Sequence, residues 1–176
     1  MNIWESEHWK QYIDLSTGKY RSGLRLRFDA EVHPDVREGC KEFVKWLRKY
    51  YFFPVRIVIY IKGRRWIKAQ NGDLVYGTFL RPEEEFFEPY ARIATGDYQE
   101  LTDKIGKESA FAAINSTIAH ELTHYFQWLN DAKLTRIGEE RQATRYDNLI
   151  IEEYEASRGF YKGDDPETED EKTEDD

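Results

Sequence analysis

Across residues 22–32, Leu24, Leu26 and Phe28 alternate with Arg25, Arg27 and Asp29, the two-residue period of a strand with one buried face. The period then changes. At His33-Pro34-Asp35 a helix begins, with Pro34 suited to its first turn. Val36, Cys40, Phe43, Val44, Leu47 and Tyr51 recur at helical spacing on one face, and Pro54 follows. Residues 55–61, mostly β-branched, predict a central strand. Residues 65–70 and 74–80 flank Asn71-Gly72-Asp73, and an Asn-Gly pair in that setting signals a hairpin. After the acidic loop Glu83, Glu84, Glu85, residues 89–95 predict a short strand ending at Gly96-Asp97.

A long helix is predicted from Lys107 to Asn130, where Phe111, Ile114, Ile118, Leu122, Tyr125 and Leu129 form one apolar stripe. A second follows from Ile137 to Phe160 after a short polar link. Trp4, Trp9 and Tyr12, ahead of the first strand, are expected to pack back on the body. The order strand, helix, several strands, helix, helix predicts an α+β fold with one small, mainly antiparallel sheet.

With 176 residues the chain is long enough for one domain with a real core, placed at residues 1–163. The net charge of −8 resides in residues 164–176, which hold nine acids and one lysine, leaving 25 basic and 25 acidic groups in the rest. That segment is expected to be a disordered acidic tail, and the neutral body offers no global basic surface for nucleic acid. Cys40, the only cysteine, cannot form an intrachain disulfide and excludes a cysteine-rich zinc site, which fits a reducing compartment. No stretch approaches the roughly 20 apolar residues of a membrane span, and the first residues lack a leader pattern, so a cytoplasmic protein is expected.

The chemistry is concentrated in His120-Glu121-Leu122-Thr123-His124 on the long helix. Two histidines four apart lie one turn apart on one face, so both imidazoles can reach one zinc ion, while Glu121 between them is placed to act as general base on water. The pair lies well away from the apolar stripe, toward a cleft. A catalytic zinc site needs a third ligand and an open position. Residues 129–135 contain neither the glycine nor the third histidine of the metzincin continuation. Glu152, Glu153 and Glu155 on the following helix are the candidates. Only Glu153 falls near the inward face defined by Ala143, Tyr146, Leu149, Ile150, Tyr154, Phe160 and Tyr161, so it is favoured, with Glu155 and Glu152 as alternatives.

The motif and its flanks, Thr117 and Ile118 before it and Tyr125 and Phe126 after it, resemble the zincin metallopeptidase signature. Glu153-Tyr154-Glu155-Ala156 is similar to the third-ligand motif of the CAAX-prenyl and heat-shock membrane proteases, with Ser157 where those families place an aspartate. The resemblance implies a minimal soluble gluzincin with a zincin-like fold. Zinc would be held by His120, His124 and Glu153, and peptide bonds would be hydrolysed by promoted water with Glu121 as base. It also implies that residues 89–95 form an edge strand onto which a substrate peptide adds. Tyr125, Tyr146 and Arg145 are candidate oxyanion donors, and His8 and His33 are read as structural.

Two other readings compete. A zinc-stabilised binding or regulatory module would not need Glu121. A nucleic-acid-associated protease would use Arg25, Arg27, Lys62, Arg64, Arg65 and Lys68, for which solubility of the hairpin is the better account, so nucleic acid is not an expected partner. The expected partner is a peptide or protein substrate.

Overall fold

The computed structural model describes residues 2–84 and 88–159. The chain enters with a one-turn 3-10 helix, His8–Gln11, and a second at Leu15–Thr17. Strand β1 (Leu24–Phe28) leads into helix α1 (Pro34–Tyr50), whose first free N–H groups are capped when the Asp35 N–H donates to the His33 ring. Strand β2 (Ile57–Lys62) then pairs parallel with β1, Leu24 opposite Ile57 and Phe28 opposite Ile61. The Asn71-Gly72 turn forms a separate two-stranded ribbon from β3 (Ile67–Lys68) and β4 (Leu74–Val75). Gly72 has φ of 90°, a conformation open to glycine at no steric cost. Strands β5 (Gly77–Leu80) and β6 (Tyr90–Ala94) complete a sheet of order β1-β2-β6-β5.

The fold is α+β with a mixed sheet, which corrects the expectation of a mainly antiparallel one. β1-β2 and β2-β6 are parallel, and only β5-β6 is antiparallel. The cause lies in the order of elements, since a strand, a helix and a strand joined in succession bring the second strand back in the same direction as the first. The ribbon signal was correct locally and fixed no other pairing. β6 is also an interior strand, bonded to β2 on one side and β5 on the other, so residues 89–95 do not form a sheet edge; β5 does.

One face of the sheet buries Ile57, Ile59 and Ile61 with Ala91 and Ile93 against Phe43, Val44 and Leu47 of α1 and Ile118 and Leu122 of α3 (Lys107–Leu129). Each isoleucine fully removed from water contributes about 1.5–3 kcal/mol. Helix α2 (Tyr98–Ile105), which the sequence pattern did not distinguish, packs on α3. Helix α4 (Arg136–Ser157) lies along α3 and forms the outermost layer. Trp4 and Trp9 are buried against the body as expected, whereas Tyr12 is exposed. No described helix is long and apolar enough to cross a membrane. Phe160, Tyr161, the acidic tail and Glu85 lie outside the described residues.

Candidate metal centre

Helix α3 is held in place from behind. The Tyr125 hydroxyl donates to the Val55 carbonyl at 2.6 Å and accepts the Val55 N–H at 3.2 Å. The Trp4 indole donates to Thr123 Oγ1 at 3.0 Å, and Thr123 donates to the Ala119 carbonyl. Thr123 and Tyr125 flank the histidine face on either side, so these bonds fix the rotation of the helix about its own axis. His120 and His124 then project into a cleft of about 800 Å³ between β5, the β3-β4 turn and α4.

Their rings stand 5.0 Å apart, nearly perpendicular. His120 Nε2 lies 3.1 Å from Glu140 Oε2, and His124 Nε2 lies 3.2 Å from Glu140 Oε1, so one carboxylate spans both nitrogens. The opposite ring nitrogens are tied back, His120 Nδ1 to Asp147 Oδ2 at 3.0 Å and His124 Nδ1 to Gln127 Oε1 at 2.8 Å. The Gln127 amide orientation is set by its own donor bonds to the Glu139 carbonyl and Gln142 Oε1.

Glu140 was not among the glutamates selected from the sequence. The structure brings together His120, His124 and Glu140 within 4.8 Å of one another. Glu153 is elsewhere, exposed on α4 and accepting a bond from the Tyr51 hydroxyl at 2.7 Å. The reason is hairpin register. With α3 and α4 antiparallel and joined by residues 130–135, positions equidistant from the link face each other, which puts His120 and His124 opposite residues near 141–145. Glu153 is displaced by roughly 15 Å along the helix axis at 1.5 Å per residue. Glu140 stands three residues before Ala143, the same spacing as Glu153 before Ala156, so the signal was present twice on one helix. Asp147, two turns after Glu140 and on the same face, supplies the histidine partner that Ser157 could not.

Glu121 is 7 % exposed, and burial pushes its carboxyl up to about 7. Burial opposes protonation of His120, but the bonded Asp147 carboxylate, with Glu121 and Glu140, more than offsets it and holds the ring above its ordinary value. His124 is shifted downward, chiefly by burial. A Cβ at Gly77 of β5 would lie 2.8 Å from Thr117 Cγ2 and 3.0 Å from Glu121 Oε1, so glycine at this position lets the edge strand close directly over the base.

The donor set fits a divalent cation. Each ring faces an acceptor at both nitrogens, yet a neutral imidazole has one N–H to give. Charging both rings would set two cations side by side in a half-buried site. A cation shared by the two Nε2 atoms and the Glu140 carboxylate satisfies every group, with Nδ1–H donating to Asp147 and Gln127. Two imidazoles and one carboxylate suit zinc. Replacing Asp147 with Ala is therefore expected to weaken zinc binding 10- to 100-fold by competition with a chromogenic chelator, by releasing the His120 ring. Unchanged affinity would refute its positioning role.

Of the candidate oxyanion donors, Tyr125 is fully buried with its hydroxyl engaged at Val55, and neither Tyr146 nor Arg145 lines the cleft. His33 caps α1 and His8 bonds Tyr12, consistent with structural roles. Comparison with protein-family models, with curated proteins and with solved structures finds no match to this chain.

Proposed function

We infer that this chain is a zinc-dependent metallopeptidase. The observation that carries the reading is the convergence of both Nε2 atoms on Glu140 while both Nδ1 atoms are tied back, beside a buried carboxyl poised near neutrality. His120, His124 and Glu140 would hold the metal, with Glu140 taking the part the sequence reading gave to Glu153. When bound there, zinc polarises a carbonyl and acidifies water to near pH 7. Glu121 accepts the proton of the attacking water and returns it to the departing amine. Asp147 and Gln127 keep both imidazoles in one tautomer and orientation.

An extended peptide would be held by β5 rather than by residues 89–95. One edge of β5 is bonded to β6, and its other edge opens on the cleft that contains Glu121. Backbone pairing along that edge would carry a scissile carbonyl past the histidines irrespective of side-chain sequence. A zinc-stabilised module without turnover is less well supported, because it gives no account of a carboxyl buried beside the histidines at Glu121.

Elemental analysis of the purified chain should find about one zinc per molecule. An unfolded protein or a quenched peptide library should be cleaved, with cleavage lost on chelation and restored by zinc. Stoichiometric zinc without cleavage of any library member would favour the binding module, and absence of zinc binding would defeat both readings.

A further inference from the structure

The four-stranded sheet has a second face, turned away from α1 and α3. Its outward positions are fixed by register. One row across the sheet reads Arg27, Tyr60, Arg92, Thr78, and the next reads Arg25, Val58, Tyr90, Leu80. Lys62 extends β2 on the same side. These strand positions carry four cations and no carboxylate, although residues 1–163 as a whole are neutral. Arg25 and Arg27 are exposed, and among the described residues neither makes an ion pair. Lys62 pairs with Asp29 at 3.3 Å while its Nζ stays 5.4 Å from the Tyr60 ring centre.

The aromatic groups are arranged for more than solubility. Tyr60 and Tyr90, on neighbouring strands, stand edge to face with centroids 5.8 Å apart, and Tyr90 is 38 % exposed. Arg27 and Arg92 flank Tyr60 in its row. In the first row cation and ring thus alternate across three strands, a width of about 10 Å. Lysines and arginines alone would be an ordinary solvated surface, and tyrosines alone an ordinary sheet face. Interleaved, they offer point charges for a phosphate chain and flat faces for unpaired bases, the two parts of sequence-tolerant single-strand binding. A duplex presents no base faces to such rings.

We propose that the β1-β2 side of this sheet face, with Tyr90, binds single-stranded nucleic acid, Arg25 and Arg27 meeting the phosphates and Tyr60 and Tyr90 stacking against bases; Arg92 is held back by its bond to the Lys68 carbonyl. Residues 164–176, acidic and without an aromatic group, could satisfy the cations but would leave the tyrosines unused, so the charge and ring pattern together select the nucleic acid. The sequence alone revealed Arg25, Arg27 and Lys62 but joined them to the hairpin residues Arg64, Arg65 and Lys68. Register places them instead beside the two tyrosines and Arg92, whose guanidinium donates to the Lys68 carbonyl of the ribbon at 3.2 Å. The rows adjoin the histidine cleft through Arg92, Thr78 and Leu80, but Arg25, Arg27, Tyr60 and Tyr90 lie outside its lining, and the proposal does not depend on the peptidase reading.

The test is fluorescence anisotropy of a labelled fifteen-nucleotide oligo-dT with the full chain. Saturable binding is expected, weakening with salt at a slope of about −1.5 to −2 in log–log form, as for two or three phosphate contacts. Arg25→Gln with Arg27→Gln should lower affinity at least tenfold, and Tyr60→Leu with Tyr90→Leu roughly tenfold through lost stacking. Tyr90→Phe should bind as wild type, because the ring is retained. Each variant is first checked for an unaltered cooperative melt, and Glu121→Gln should leave binding intact. Absence of saturable binding overturns the proposal. So does equal affinity for a duplex combined with indifference to the tyrosine changes, which would mark bare charge attraction. Binding by a chain ending at residue 163 but not by the full chain would assign the face to the acidic tail instead, and likewise overturns it.

Discussion

Glu121→Gln is expected to leave zinc content intact and the melting temperature of the metal-free protein no lower, while peptide hydrolysis falls at least a hundredfold. The amide has the size of the carboxyl, so the contacts with Thr117 and with the edge strand at Gly77 survive. It cannot accept a proton from water, and loss of a positioned base costs 10²- to 10⁴-fold in rate. The direction of the stability effect follows from the upward shift of the Glu121 carboxyl to about 7. A carboxyl raised in the folded state above its unfolded value of 4.5 is destabilising as the anion, and that penalty grows as pH rises from 4.5 to 7. Glutamine removes the charge and with it the penalty. Turnover at the wild-type rate would eliminate Glu121 as the base.

The second large effect separates Glu140 from Glu153. Glu140→Ala is expected to weaken zinc binding by at least a hundredfold, since it removes the only carboxylate among the described residues within reach of both Nε2 atoms. Glu153→Ala should retain a full equivalent of zinc and lose only its bond with Tyr51, a cost of about 0.5–1.5 kcal/mol in stability. Isothermal titration of both variants decides between them. Zinc lost from Glu153→Ala and kept by Glu140→Ala would reverse the assignment.

The contrast between those two glutamates shows where the sequence was informative. The grouping of the two histidines with Glu121 was legible because they lie on one helix, where a spacing of four residues converts directly into distance. The third position depends on how two helices face each other, and helical phase on α4 alone selected a turn that the structure places away from the histidines. Counting from the link between the helices would have pointed to the turn that holds Glu140. In the sheet, alternation identified the inward face of β1, with Leu24 buried and Leu26 and Phe28 partly buried against the core. What alternation cannot encode is which strand lies beside which, and therefore β6 was assigned to an edge that belongs to β5. Asp147 was missed for a related reason, because an aspartate in mid-helix has no local signature until the ring it supports lies opposite.

The succession of α3 and α4 has a consequence for how the molecule folds. Every side chain that meets at the histidine cleft from these two helices comes from residues 116–147. Closing a helical hairpin of that length joins residues near in sequence and carries little loop entropy. The sheet is different, because β2 must find β1 across the whole of α1 and β6 across the ribbon and β5. Local helical contacts form in microseconds, whereas sheets with non-local pairing are slower. The hairpin is therefore expected to assemble ahead of the sheet, with histidine spacing established before β5 arrives to close the cleft. Pulse-labelled hydrogen exchange during refolding should find the amides of α3 and α4 protected before those of β5 and β6.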